Sequence, residues 1–418
     1  MAASRRLIAD VPLVGTALLL SIFGILMVYS AGQTDVLTFV ARLWKSQIVW
    51  LVVGIAAAYA ISRASVRFVD WLTLPAYSLS VILLAVTLVL GSGAGTAAST
   101  KSWLTIGGIR IGQPAELAKI TVVLMLARVL AARKEAPRSL LELWLPIAVV
   151  AIPWLLIMMQ PDLGTAIVFI GILFAMLYWS GVSLPLLVLL ASPGISLILA
   201  FSTGIWATWF FLLVVLLYWY KPYLLEGVAL AVMNIVIGVA APFLWEQLKP
   251  YQRQRLLVFL DPSQDPRASG YHVIQSQVAI GSGGWFGKGF TQGTQKRLAF
   301  LPEQHTDFIF SVVGEELGFF GVTLAIALFC YLFLRAIRIA SGANDSFAGL
   351  VACGVAASWF VHVLVNVGMT LSLMPITGIP LPFFSYGGSF MLSCWLGIGI
   401  LLRISSEGRG GRDGTLAI

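Results

Sequence analysis

Asp307 closes the run Leu301-Pro302-Glu303-Gln304-His305-Thr306-Asp307, and the long apolar segment that opens Phe308-Ile309-Phe310 follows directly. A carboxylate at the mouth of an apolar segment can take a proton from a hydroxyl, and an ionisable group at the edge of a membrane helix is a functional candidate by default. The position has a structural reading as well. Thr306 and Asp307 are residue types that cap a helix start and favour the positive end of its dipole. Glu116 and Lys119, three apart near another helix start, share one face as a local ion pair or as the lining of a polar cavity.

Ahead of Asp307 lies the one long hydrophilic excursion, 246–306, with Lys249, Arg253, Arg255, Arg267, Lys288, Lys296 and Arg297 against four acids. Singly these are solvated or headgroup-facing charges; together a subset can neutralise a polyanion such as a lipid diphosphate, which the Arg donor fork matches. Tyr251 to Leu260 reads as a short interfacial helix ended by Asp261-Pro262. Gly281-Ser282-Gly283-Gly284 and Gly287-Lys288-Gly289 flank Trp285 and let backbone approach closely, but with no strand before them they are not a phosphate loop. Glu315 and Glu316, about two turns beyond Asp307, receive no role from spacing.

The elements that must carry these groups follow from composition. Of 418 residues, 59% are hydrophobic and 11% charged, and the mean hydropathy is +0.94; this excludes a soluble domain and predicts an all-α, polytopic membrane bundle in one domain, 1–418. A span needs about 20 apolar residues. Windows of that kind fall near 11–31, 46–62, 71–91, 115–132, 142–159, 163–181, 184–202, 206–220, 224–245, 307–334, 346–368 and 383–403, about twelve in all. The first, Val11–Ala31, is a full-length span and not a cleaved leader. Cys330, Cys353 and Cys394 sit in apolar runs without metal-ligand spacing.

Arg5, Arg6, Arg63, Arg67, Arg133, Lys134, Arg138, Lys221, Arg335, Arg338, Arg403, Arg409 and Arg412 fall on one side, which predicts that both termini are cytoplasmic. Alternation then places the loops 92–114, 246–306 and 369–382, with the turn Gln160-Pro161-Asp162, outside. The charges of 246–306 do not reverse this, because long loops are exempt from the positive-inside rule.

The runs Tyr251-Gln252-Arg253-Gln254-Arg255, Gly270-Tyr271-His272-Val273-Ile274-Gln275-Ser276, Gly281-Ser282-Gly283-Gly284 and Phe300 to Phe310 closely resemble the SEDS family of shape, elongation, division and sporulation proteins. Glu315-Glu316-Leu317-Gly318, Lys101-Ser102-Trp103, Gln113 to Lys119, Gln160 to Thr165 and Pro380 to Ser389 extend the resemblance over nearly the whole chain. Gly293-Thr294-Gln295 before Phe300 is similar to the elongation branch more than the division branch. The resemblance implies a peptidoglycan glycosyltransferase of the bacterial cytoplasmic membrane, polymerising lipid II into a lipid-linked glycan strand at the outer face, with a class B penicillin-binding protein as partner and no nucleic acid.

It also implies a mechanism. An α-linked diphosphate leaving group and a β-1,4 product require one inverting displacement, with a single base for the attacking hydroxyl and cations for the departing charge. Asp307 matches the family's catalytic position. Glu116 and Lys119 match residues near it, and Arg110, Arg253, Arg255, Gln275, Lys288, His305, Ser385 and Ser389 complete the candidate substrate-binding set. Arg110 fits an interfacial anchor equally well, and Ser385 to Ser389 fit close helix packing as well as a cavity wall. Trp103 is an aromatic-belt residue or a contact for the partner or substrate access. His305 can orient Asp307. Asp162 is first a helix start, and His362, four before Asn366, an interhelical hydrogen-bonding residue. A divalent cation, Mg or Mn, is expected to ride on the diphosphate.

The chain departs from the family's ten or so spans in holding three apolar runs within 183–245 where one is expected. An inserted hairpin of two helices leaves parity unchanged, and its aromatic residues place it at the lipid-facing periphery. Two other functions fit a many-span bundle, a lipid II flippase and a non-catalytic scaffold for the penicillin-binding protein; the first is weakened by the lack of an internal repeat.

Overall fold

The computed structural model describes residues 10–35, 39–93, 102–106, 109–247, 253, 269–298 and 303–415. Nine long helices precede the hydrophilic excursion: α1 (Val11–Ala31), α2 (Leu43–Arg63), α3 (Val66–Leu90), α4 (Pro114–Ala131), α5 (Trp144–Met159), α6 (Leu163–Trp179), α7 (Leu184–Leu199), α8 (Thr203–Tyr220) and α9 (Leu224–Gln247). Within it lies α10 (Ser269–Ser282), and after it come α11 (Ile309–Ser341), α12 (Ser346–Thr370) and α13 (Gly388–Thr415).

Helix starts follow local chemistry. Asp10, Ser65, Asp162 and Asp345 each cap a helix by accepting the N–H three residues on, from Leu13, Phe68, Thr165 and Ala348. Among the described residues nine helices are long and apolar enough to cross a membrane, while α6 and α7 are shorter apolar helices. α4 bears Glu116, Lys119 and Arg128, which lower its hydropathy. A helix therefore stands at each of the twelve expected positions.

The bundle has two polar ends. At one, Arg335 pairs with Asp10, Glu407 accepts the Val66 N–H, and Tyr220 Oη donates to the Arg138 carbonyl. At the other lie the Asp307 turn, α10, the segment 371–387 and a small antiparallel sheet. In it β1 (Gly91–Ser92), β2 (Trp103–Ile106) and β3 (Ile109–Gly112) lie in that order. The expected loop 92–114 is thus partly a sheet, in which β2 pairs antiparallel with both β1 and β3.

α7, α8 and α9 form a peripheral cluster of their own, and on α8 only Leu213 is buried. Their join is polar. Asn234 donates to Ser192 Oγ at 3.0 Å and accepts from Ser196 Oγ at 2.6 Å, and Trp209 Nε1 donates to the same Ser196 Oγ at 3.1 Å. Apolar side chains gain little by mutual contact inside lipid, so such bonds are what distinguish the docked cluster from three separate spans. Asn234→Leu should lower stability by about 1–2 kcal/mol, read as a lower thermal midpoint in detergent; an unchanged midpoint would deny the cluster this role.

The excursion itself is more ordered than a long loop. Gly318, at φ +62° and ψ −157°, breaks α11, so the Phe319 and Phe320 N–H groups cannot reach the Glu315 and Glu316 carbonyls as a regular helix requires. They donate instead to the Gly284 and Trp285 carbonyls, at 2.9 and 3.2 Å, while the Glu315 and Glu316 carbonyls accept from the Lys288 and Gly289 N–H groups at 3.0 Å each. The chain from 284 to 289 is spliced into the helix break, and these four backbone groups of α11 each find a partner there. Glycine is required there: a Cβ on Gly283 would stand 1.9 Å from the Gly314 carbonyl oxygen, and one on Gly287 2.1 Å from that of Glu316.

The two acids without a role in the sequence complete this join. Glu315 Oε1 accepts from Lys288 Nζ at 2.8 Å, Thr294 Oγ1 at 3.1 Å and the Gln295 N–H at 2.9 Å. Glu316 pairs with Lys296 and accepts from Ser30 Oγ at 2.5 Å and the Gly293 N–H at 3.3 Å. The glycine-rich stretch is therefore a packing device that locks the excursion onto α11.

Candidate active site

The turn from Glu303 to Phe308 carries Asp307. α11 begins only at Ile309, with Phe308 at the cap position and no side-chain cap bond. The capping role open to Thr306 and Asp307 is therefore corrected: the Thr306 and Phe308 N–H groups donate to the Glu303 carbonyl, and Thr306 Oγ1 turns to Glu303 as well. A tight turn intervenes before the helix, and it carries Asp307 out of the cap register.

Three successive carbonyls in this turn are each held. His305 accepts from the Tyr386 N–H at 3.0 Å, Thr306 from Ser385 Oγ at 2.7 Å, and Asp307 from Asn366 Nδ2 at 2.9 Å. Ser385 Oγ also accepts the Leu381 N–H at 2.8 Å, and Gln47 spans the Ser385 carbonyl and the Gly387 N–H at 2.8 and 3.2 Å. A carboxylate whose backbone is fixed on three consecutive residues is pre-organised.

Opposite the Asp307 side chain is Gly378, at φ +71°, where a Cβ would stand 3.0 Å from Asp307 Oδ2. Its segment cannot be helical, because Pro380 and Pro382 lack donors and restrict the residues before them. Gly378→Ala adds left-handed strain and crowds the carboxylate. Activity should fall about 10- to 100-fold with a cost of about 1–2 kcal/mol in stability, and full retained turnover would show that the carboxylate does not need this contact.

Deeper in the bundle, Asn366 Nδ2 donates to the Ile379 carbonyl at 2.7 Å, and His362 Nδ1 lies 3.0 Å from that of Pro380. His362 Nε2 meets Lys119 Nζ at 2.7 Å, and Lys119 pairs with Glu116 at 2.7 Å. The latter two side chains are 3% and 4% exposed, so their contact is not a surface pair. His362 is hydrogen-bonded between elements, as its place in an apolar span predicts.

The other candidates disperse. Ser389 Oγ accepts the Gln113 N–H at 3.3 Å, at the entrance to α4. His305 is buried beside Glu303, 3.9 Å away, with its ring against Tyr386; burial draws the imidazole pKa below its usual value, while Glu303 opposes the shift. Lys288 is engaged by Glu315 in the splice. Gln275 lies on α10, its Oε1 buried without a hydrogen bond, and its neighbour Ser276 bonds Ser311 Oγ and the Thr370 carbonyl. Arg253 donates to the Glu246 carbonyl. Trp103 pairs with Ser92 and Arg110 with Thr105 in the sheet, and Arg255 falls outside the described residues. Asp162 caps α6 and also accepts from Thr165 Oγ1 at 2.9 Å. Among the described residues no three His, Cys, Asp or Glu side chains group to hold a metal ion.

Asn366 and Gly378 are the site residues that sequence reasoning missed. The one available signal was the i, i+4 spacing of His362 and Asn366 on one face of an apolar helix.

The family model for FtsW, RodA and SpoVE, described as a cell cycle protein, matches residues 11–223 and 202–410. The chain belongs to this family. It is an all-α, multi-pass membrane member, and the two matches overlap on 202–223, within the α7–α9 cluster. It is 35% identical to the peptidoglycan glycosyltransferase RodA of Treponema pallidum, over 95% of this chain and 98% of that protein. The peptidoglycan glycosyltransferase MrdB of Escherichia coli K12 is 34% identical, covering 93% of this chain and 91% of that one. Among solved structures, a chain of a peptidoglycan synthase complex that coordinates polymerization and crosslinking matches with a TM-score of 0.70 at 28% identity, over 96% and 98% of the two chains. The rod shape determining protein RodA of Thermus thermophilus matches at 0.60 and 26%, over 95% and 96%.

Proposed function

We propose that this FtsW/RodA/SpoVE protein is a peptidoglycan glycosyltransferase that polymerises lipid II during cell-wall elongation, with Asp307 as the general base. Relatives across the family bear the glycosyltransferase name. The observation that carries the base assignment is the turn whose carbonyls 305, 306 and 307 are each tied down, which fixes the backbone that sets the carboxylate opposite Gly378. In the proposed step the acceptor hydroxyl oxygen bonds the donor's anomeric carbon, the bond to the diphosphate breaks with its electron pair leaving on the diphosphate, and Asp307 takes the hydroxyl proton. Phe308 and Ile379, next in the chain to Asp307 and Gly378, are buried, while Asp307 itself is half-buried. Any Mg or Mn ion would be carried by diphosphate oxygens, and Arg side chains of 246–306 would share the neutralisation.

The positive-inside bias supports the reading that the Arg335 end of the bundle faces the cytoplasm of the inner membrane and the Asp307 end the outside. A class B penicillin-binding protein is the proposed partner, on the likeness to the synthase-complex chain. The test is incubation of the purified protein, its partner and a divalent cation with lipid II. Glycan strands support the assignment; transfer of lipid II across vesicle membranes without glycan would favour a flippase, and neither activity would leave a scaffold.

A further inference from the structure

We propose that Lys119 acts on Asp307 as a positioning residue, through His362 and the segment 377–382, and not by touching the substrate. The inference rests on the glycosyltransferase reading. It starts from proton placement. The Pro380 carbonyl can only accept, so His362 Nδ1, 3.0 Å away, carries the ring proton. Nε2 of the neutral imidazole is then an acceptor, and the Lys119 ammonium meets it at 2.7 Å as donor. Glu116 holds the same ammonium at 2.7 Å, and the Phe390 ring centroid lies 5.0 Å from it. With its side chain 3% exposed, Lys119 presents no surface for a diphosphate.

The segment depends on these donors because it has few of its own. Pro380 and Pro382 have no N–H, and the Leu381 N–H is taken by Ser385 Oγ. Its Ile379 and Pro380 carbonyls are bound by Asn366 and His362, one turn apart on α12, and the amide of Asn366 that holds Ile379 also holds the Asp307 carbonyl. Without the Lys119 ammonium, the His362 proton is free to move to Nε2. Nδ1 and the Pro380 oxygen would then face each other as two acceptors, and the segment that sets Gly378 against Asp307 Oδ2 would shift. Misplacement of about 1 Å at a reacting group can cost about 100-fold in rate.

The experiment measures polymerisation from lipid II by the purified full chain with its partner. Glu116→Gln/Lys119→Met removes both charges together and leaves no orphan charge. It is expected to lower kcat about 10- to 100-fold with KM changed less than about twofold. Combined with His362→Phe it should cost no more than the worse parent. In a His362→Asn background, whose amide keeps a donor for Pro380 without needing a tautomer fixed, the charge deletion should cost less than about threefold. A KM raised about tenfold, or losses that multiply in the combined variants, would overturn the relay and return Lys119 to the substrate. Should the charge-deleted chain not fold, His362→Asn against His362→Phe decides alone: equal losses overturn the proposal, and at least about tenfold better activity for Asn supports it. A wild-type protein that makes no glycan would instead defeat the glycosyltransferase reading itself.

Discussion

Asp307→Asn is expected to reduce glycan polymerisation about 100- to 10,000-fold, the range for removing a general base, with the protein still folding and still binding its partner. Asparagine keeps the shape and the three backbone restraints, because those involve the carbonyls of 305–307 and not the carboxylate. Lipid II turnover in detergent measures the loss, and partner co-purification checks the fold. Activity within a fewfold of wild type would remove Asp307 from the chemistry. A variant that binds the partner but makes no glycan would rule out a purely scaffolding role.

The second large effect concerns stability. Lys296 and Glu316 form an ion pair in which the side chains are 1% and 0% exposed, joined by Ser30 and the Gly293 N–H. Burial draws the Lys296 pKa below the usual lysine value, against the pull of Glu316 and Glu315, which is the mark of the desolvation that the pair has to offset. Lys296→Met leaves Glu316 buried without its cation and should destabilise the protein by about 3–5 kcal/mol. Lys296→Met/Glu316→Leu should recover most of that, since it removes the orphan charge together with the pair. Thermal unfolding in detergent reads both. If the double variant is no better than the single, the pair is needed for the splice at Gly318 and not only for mutual neutralisation.

Much of the bundle could be read without coordinates because lipid leaves the backbone little choice. A run of about 20 apolar residues must close its own hydrogen bonds, so hydropathy alone places helices. Caps were as legible: Asp162 and its Thr165 partner are local chemistry within one turn. The three helices between α6 and the excursion could be counted, although what joins them could not, because Ser192, Ser196, Trp209 and Asn234 come from three separate runs.

The site was legible only in its parts. Sequence put Asp307 at a helix entrance, and an idealised helix would have made it a cap. The fold interposes a turn, for which the deciding bonds come from residues 59 and 79 positions away, Asn366 and Ser385. Likewise Glu116 and Lys119 are a neighbouring pair on one helix, but the third member, His362, lies 243 positions beyond Lys119. What the sequence by itself determined is the set of groups fit for the chemistry and the helices that carry them, since residue type and apolar length act locally. Only the tertiary structure decided which groups meet and which are already engaged, as Lys288 is by Glu315. Buried donors and acceptors must be satisfied together, and in this bundle the partners that satisfy them are far apart in the chain.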